Sequence, residues 1–329
     1  METHASLLLC PVCGAGLSTA GKTLQCSKSH SFDIAREGYV NLLLRDRKSS
    51  RLLGDKREML EARRRFLSRD FYRPLSDALN ERIDHYLTRT SKPEEKFSPV
   101  CILEVGCGEG YYLGRLNGHL DRLTGPGSRE KIGASQLCLA GGADSTRLAW
   151  YACGSPPIFS QLPDQFRYFG MDISKEAVKL AAKQYKGIGF FAADVKRKIL
   201  MADHSVRVLL NIFAPRDAAE FDRVVAKQGL LLMVIPSPRH LANLRSELGL
   251  LAIEANKRER VIENFGGAFK LVDERTIEYD MQLSSEELRD LITMTPNYWH
   301  GVPNQCGSAF AGKQRVKTTA SFTILQFGR

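Results

Sequence analysis

The amino-acid sequence predicts an α/β fold, a parallel sheet covered on both faces, preceded by a small metal-bound module. Three observations carry this. Short apolar runs ending in an acid or a proline alternate with stretches of helical period. The first of those runs, Val100–Val105, leads directly into glycines at 106, 108 and 110. Upstream of both, the first thirty residues hold two closely spaced pairs of Cys and His.

Bulk properties limit the classes available. The chain has 329 residues, enough for one large domain and a small one. Its hydrophobic fraction of 43% is ordinary for a globular protein. No apolar run approaches the roughly 20 residues that cross a bilayer, so no membrane span is expected. The start lacks a basic n-region and a cleavage site, and no Arg-rich transit peptide is evident. The eight cysteines are scattered, which argues for a reducing compartment and a cytoplasmic location. A net charge of +10 points to a polyanionic partner. Between Arg36 and Arg73 lie twelve Lys or Arg residues against six acids, more than half of that surplus.

Taken in chain order, the first element is Cys10-Pro-Val-Cys13 followed by Cys26 and His30. Two ligand pairs separated by twelve residues suit a closed tetrahedral Zn²⁺ site, and the turn-forming residues around 14–21 let each knuckle wrap its sulfurs. Three thiolates and an imidazole leave no open position, so the metal is structural. A module this short builds too small a core and draws folding free energy from the metal. His4 is a competitor for the fourth place with poorer spacing. Cys101, Cys107, Cys138, Cys153 and Cys306 have no paired partners and read as ordinary thiols.

Residues 32–44 mix an extended pattern with a glycine break. A helix is expected over 56–67, from apolar spacings of three and four, and a second over 75–87. Arg63, Arg64 and Arg65 cannot share one helix face, so part of this run is expected to hold a phosphate backbone or to face solvent. The Pro-containing stretch 91–98 reads as a linker. The domain limits that follow are 1–45 for the zinc module, 46–97 for a helical connector and 98–329 for the large domain.

In that domain, Glu104 ends the first strand, and Gly106, Gly108 and Gly110 let the backbone approach a ligand. The acid suits a ligand bearing an ammonium group, as the methionine part of S-adenosylmethionine does. Dinucleotide-binding enzymes also place G-x-G-x-x-G after a strand, but here the third glycine comes two residues after the second. That spacing favours a methyltransferase over a nicotinamide enzyme. Further strands are expected at 167–171, ending at Asp172, and at 189–193, ending at Asp194. Others follow at 206–213, 229–235 as a central strand, and 317–327. A helix over 174–185 is capped by Ser174. The ribose-binding acid normally lies about 20 residues past the glycines. Here Asp172 lies 62 residues past Gly110, so residues 121–165, rich in Gly, Ser, Ala and Pro, read as an insertion.

These pieces resemble one family closely, the ribosomal large-subunit RNA guanine-N1 methyltransferases of the RlmA type. The matching motifs run in order: C-P-V-C with C-x3-H, F-D-I-A-R-E-G-Y-V-N-L-L, A-R-R-R-F-L, F-Y-R-P-L, E-V-G-C-G-E-G-Y-Y, G-M-D-I-S-K, A-P-R, P-S-P-R-H-L and M-T-P. The resemblance implies a Rossmann-like class I methyltransferase domain with a small N-terminal zinc-binding domain. It also implies S-adenosyl-L-methionine as methyl donor, ribosomal RNA as partner, and a homodimer with an RNA-binding cleft. It makes Cys10, Cys13, Cys26 and His30 the zinc ligands and brings Tyr72, Tyr112 and His240 to the cofactor. Asp172 and Asp194 fit the ribose and adenine positions. Three departures stand out: Glu104 where relatives carry Asp, Asn211 where a basic residue occurs, and the insertion.

The chemistry implied is an in-line displacement in which guanine N1 takes the sulfonium methyl while its proton leaves to a carboxylate, a histidine or water. Because N1 lies on the pairing edge, the base must come from a loop or be flipped out. Asn211, Phe213 and Pro215, at the end of the fourth strand, are expected to line the guanine pocket. Two rival readings are a zinc-containing nucleic-acid-binding protein with a non-catalytic fold, and a methyltransferase acting on something other than RNA.

Overall fold

The computed structural model describes residues 2–44, 54–90, 99–124, 166–301 and 314–329. The expected linker 91–98, nearly all of the insertion, Arg45, Arg47, Lys48, Arg51, Cys138, Cys153 and Cys306 lie outside the described residues.

Alternation of apolar residues with turns at the start produces a three-stranded antiparallel ribbon, β1 (Leu17–Ala20), β2 (Thr23–Cys26) and β3 (Ser31–Asp33). Its chain then enters β4 (Val40–Asn41), which pairs in parallel with the edge of the main sheet. Two helices follow, α1 (Arg57–Ser68) and α2 (Arg73–Thr90). The first buries Met59, Leu60, Ala62, Phe66 and Leu67 along one stripe, as its spacing predicts.

Among the described residues the main sheet has eight strands. After β4 these are β5 (Val100–Val105), β6 (Phe166–Asp172), β7 (Gly189–Ala192), β8 (Val206–Ile212), β9 (Val225–Pro236), β10 (Lys270–Leu283) and β11 (Val316–Gly328). Their spatial order is β10-β11-β9-β8-β5-β6-β7-β4. Strands β5 to β9 run parallel, and β11 lies antiparallel between β9 and β10. The chain leaves β5 toward β6 and β7 and returns to β8 on its other side. The strand order therefore reverses at β5/β8, where open α/β sheets form their ligand crevice.

Helices cover both faces. They are α3 (Tyr111–Thr124), α4 (Lys175–Gln184), α5 (Ala218–Val224), α6 (Ala242–Leu248), α7 (Lys257–Phe265) and α8 (Ser285–Thr293). Ser174 caps α4 by accepting from the Ala177 amide, as its sequence position predicts. One core packs Ile102, Val208, Leu210, Leu232 and Ile324 against α1 to α4. The other packs Leu103, Phe169, Phe191, Leu209 and Met233 on the opposite face and runs on into Leu8, Leu17, Leu24 and Leu42 of the ribbon. The zinc module is thus one body with the sheet: the Leu9 amide donates to the Leu200 carbonyl and the Leu42 amide to that of Ala192.

The expected strands are all present, each within a few residues of its predicted limits. Strand β10 was not anticipated. Its fourteen residues carry charges on most exposed positions, the pattern of an edge strand protected from pairing, and this hides its β character.

Candidate active site and metal centre

The metal centre is local. Cys10 and Cys13 flank a tight knuckle in which the Gly14 amide donates to the Cys10 carbonyl, and the Ser29 amide donates to that of Cys26. The ligand atoms of Cys10, Cys13, Cys26 and His30 lie within 4.8 Å of one another. Cys13 Sγ and Cys26 Sγ are 3.7 Å apart, and His30 Nδ1 is 3.6 Å from Cys10 Sγ and 3.4 Å from Cys26 Sγ. Tetrahedral zinc with bonds of about 2.3 Å to sulfur and 2.0–2.1 Å to nitrogen has edges of about 3.8 and 3.6 Å. The quartet fits that ion as a closed, structural site.

The second site is assembled from strand ends. Glu104, one residue before the end of β5, is 1% exposed and accepts from the Leu113 amide at 3.1 Å. Burial, then the nearby Glu109, pushes its carboxyl well above the usual range, against that amide. At the end of β6, Asp172 accepts from the Gly108 amide at 2.9 Å and the Ser174 amide at 2.8 Å. Its carboxyl is also raised by burial, with the two amides opposing. Asp194 follows β7 and accepts from the Lys196 amide. The three acids thus stand at neighbouring strand ends, as the sequence predicts.

Between them runs the glycine loop, with φ of +77° at Gly106 and +54° at Gly108. A Cβ at Gly106 would lie 2.3 Å from that of Ala214, so no side chain fits there. At Gly108 a Cβ would meet Arg63 Nη1 at 3.1 Å. Arg63 reaches over this loop from α1, paired with Asp55 at 2.6 Å and donating to the Met294 carbonyl at 3.0 Å. Its neighbours also serve the fold: Arg64 donates to Gln184 and Arg65 forms a two-pronged pair with Asp290. The expectation that this run holds RNA meets three arginines already committed within the chain.

Beyond the glycines an aromatic wall closes the crevice. Tyr72 is 4% exposed and packs edge-on against Phe322 at 4.9 Å, with Phe213 at 6.5 Å and His240 at 6.4 Å. Phe322 also meets Phe213 at 5.2 Å and His240 at 4.7 Å. Tyr112, in the first turn of α3, lies within electrostatic reach of Tyr72. Phe213 is a non-glycine residue at φ +54° yet 42% exposed, a strained position at the open end of the wall. Asn211 is buried and donates to the carbonyls of Val105 and Pro215, while its Oδ1 has no partner among the described residues. An orphaned buried acceptor costs about 1–3 kcal/mol unless a ligand serves it.

His240 accepts from the Ser321 amide through Nδ1 at 3.2 Å. Burial, helped by Arg245, lowers its pKa to about 3. The ring is therefore neutral at pH 7 with its proton on Nε2, a donor and not a base. Burial also raises Glu109 to about 7 against the pull of Arg63. The buried Glu104 and Glu109 and the part-buried Asp172 thus lie close together, and the guanidinium over the loop, Arg63, is already paired with Asp55. That excess of negative charge and the bare loop backbone suit a ligand carrying an ammonium and a sulfonium.

Sequence reasoning missed Phe322, Glu109 and the placement of Arg63. Phe322 showed only an inward phase in the last strand, and nothing in the sequence brings α1 to a loop some forty residues away.

A sheet of this order, with acids at three adjacent strand ends around a glycine loop, defines a class I methyltransferase that uses S-adenosylmethionine. The profile described as "RlmA, N-terminal", a zinc ribbon, matches residues 8–51. The chain is 30% identical over 330 residues to a protein of Micromonospora griseorubida named as a 23S rRNA (guanine-N(1)-)-methyltransferase, covering 97% of this chain and 96% of that one. It is 28% identical to the 23S rRNA (guanine(748)-N(1))-methyltransferase of Streptomyces fradiae, covering 96% and 95%. A third relative, from Bacillus subtilis and named for the same activity, is 30% identical over 89% of this chain and 87% of its own. The chain belongs to the family of 23S rRNA (guanine-N1) methyltransferases with an RlmA zinc ribbon.

Proposed function

We propose that this protein transfers the methyl of S-adenosylmethionine to N1 of a guanine in 23S rRNA. The observation that carries the reading is the buried Oδ1 of Asn211, without a partner among the described residues, beside the exposed, strained Phe213 at the switch point where a methyl donor would end. When bound, the cofactor supplies an electrophilic methyl group on sulfur. Glu104 would hold its ammonium, Asp172 its ribose hydroxyls and Asp194 its adenine. Arg63 Nη1, over Gly108, suits its carboxylate.

Phe213 offers a stacking face to a flipped base, and Pro215 bounds the same loop. Asn211 Oδ1 accepts a hydrogen bond from the guanine edge, and an amide oxygen this weakly basic orients without removing the proton. His240, neutral with its proton on Nε2, can donate a hydrogen bond and is too weakly basic to take the N1 proton. With the methyl group supplied by the bound cofactor, the proton on N1 would be lost to solvent at the open mouth. Positioning then supplies most of the acceleration.

No helix among the described residues is long and apolar enough to cross a membrane. A bacterial cytoplasm, where ribosomal RNA is found, is the proposed place of action. A second copy of the chain would complete an RNA cleft, and sedimentation at micromolar concentration tests that dimer.

Primer extension on 23S rRNA treated with protein and cofactor tests the activity. Methylation at N1 blocks pairing, so a cofactor-dependent stop opposite one guanine is expected. Absence of any stop, with cofactor binding intact, would remove the RNA reading.

A further inference from the structure

Two motifs of the sequence, A-R-R-R-F-L and M-T-P, meet beside the glycine loop. Arg63 of the first lies over Gly108 and donates through Nη2 to the carbonyl of Met294 in the second. Pro296 then opens a short 3-10 turn, Pro296–His300. This turn is firmly anchored. The buried side chain of Asn297 accepts from the Leu251 amide at 2.8 Å and donates to the Thr295 hydroxyl at 2.9 Å. The Gly301 amide closes the turn on the Tyr298 carbonyl, with Gly301 at φ +71°. The Tyr298 hydroxyl donates to Glu58 in the first turn of α1 and so engages the acid nearest the turn.

On this support stands Trp299, 52% exposed. Lys56, next to the Asp55 that pairs with Arg63, holds its ammonium 4.7 Å from the indole centroid and 5.6 Å from that of Tyr298. That ammonium makes no ion pair among the described residues, so the two rings are its partners. Tyr298 meets the indole edge-on at 5.3 Å.

A single exposed apolar side chain is ordinary. Here Leu251, 43% exposed, borders the same turn, and the indole is held by a tyrosine and a cation. Folding gains little from a ring left half in water, whereas a partner gains from one whose freedom is already spent. The cation lies over one face of the indole and leaves the other for a planar ring. A nucleobase suits it, being flat, apolar on its faces, and carried on a polyanion that Lys56 and a net charge of +10 attract. The contacts through Arg63 and Asp55 make the platform continuous with the cofactor crevice. We infer that Trp299 is a stacking platform for an unpaired base of the RNA near the target guanine. This rests on the RNA methyltransferase reading above.

The test uses the full chain with zinc bound and 23S rRNA as probe. The two tryptophans are Trp150 and Trp299, so Trp150→Phe leaves the platform as the sole indole reporter. Its emission is expected to be quenched by RNA and unmoved by S-adenosylhomocysteine. Fluorescence anisotropy on labelled RNA should show Trp299→Ala binding about 5–100-fold more weakly, with Trp299→Phe in between. The slope of log K against log salt should stay unchanged, because stacking releases no counterions. Cofactor affinity by calorimetry and the melting temperature should match the wild type. Wild-type RNA affinity in Trp299→Ala, beside a cofactor-dependent primer-extension stop, would overturn the inference and leave the methyltransferase reading intact. Quenching by S-adenosylhomocysteine alone would place the indole on the cofactor instead. Loss of self-association in sedimentation, with RNA affinity unchanged, would make the patch an interface between copies. A wild-type chain that binds cofactor but no RNA would remove that reading and this inference with it.

Discussion

The zinc quartet and the cofactor crevice are both ligand sites, built on opposite principles. The quartet draws its four donors from twenty-one residues, and the knuckles bring them to tetrahedral edge lengths within one short ribbon. The crevice gathers Glu104, Asp172, Asp194, Asn211, His240 and Phe322 from six places along more than two hundred residues. The first site is complete as a set of donors. The second is held in tension, with raised carboxyls, an orphaned amide oxygen and a strained phenylalanine. A structural site is relaxed around its ligand's geometry, whereas a binding site for a cationic, reactive cofactor keeps charges that only the ligand satisfies.

Removing the metal should give the largest effect. Cys26→Ala is expected to take zinc content from one per chain to near zero and to cost several kcal/mol. Because the core of the ribbon continues into the sheet through Leu8, Val40 and Leu42, the whole chain should melt earlier, in a single transition. A lowered transition for the ribbon alone, with the sheet unchanged, would break the picture of one body.

Next in size is Gly106→Ala. The new methyl would sit 2.3 Å from the Ala214 Cβ at φ +77°, so a loss of roughly 2–4 kcal/mol and at least tenfold in cofactor affinity is expected. Adding Ala214→Gly should recover the steric part but not the backbone strain. Full recovery would mean that φ carries no cost there.

How much of each site was legible follows from the same contrast. The quartet could be read from spacing, because its geometry depends on a few neighbouring residues. The acids could be read because parallel strands deliver their last residues to one edge, so Glu104, Asp172 and Asp194 needed no more than strand limits. The aromatic wall could not, since Phe322 meets Tyr72 only through the insertion of β11 antiparallel beside β9. Arg63 shows the same limit: its charge is visible in the sequence, but its reach over Gly108 depends on how α1 packs. Strand β10 was hidden by its own protective charges.

Glu104→Gln tests the tension directly. The amide keeps the shape and removes a charge that burial opposes, so the cofactor-free chain should be as stable as the wild type or more so. Cofactor affinity should fall about 10–100-fold, because the ammonium loses its carboxylate. Lower stability with unchanged affinity would make Glu104 a structural residue and erase the difference between the two sites.

The smallest effect concerns Glu109, 5% exposed behind the glycine loop, where its Oε2 accepts from the Tyr111 amide at 3.1 Å. Burial raises its carboxyl from an ordinary 4.5 to about 7. The folded chain then holds a proton that the unfolded chain has already released, so folding is favoured below pH 4.5 and the advantage is lost as pH climbs through 7. Between pH 6 and 8 this amounts to about 1 kcal/mol. Urea melts of wild type and Glu109→Gln across that range should diverge by this amount, the wild type losing ground as pH rises. Cofactor binding should reverse the trend, since a cation beside the loop favours the ionised acid, and calorimetry near pH 7 should detect proton release that Glu109→Gln lacks. Parallel pH profiles for the two proteins would show that the crevice carries no such tension at this residue, and the contrast with the zinc centre would then rest on Glu104, Asp172, Asn211 and Phe213.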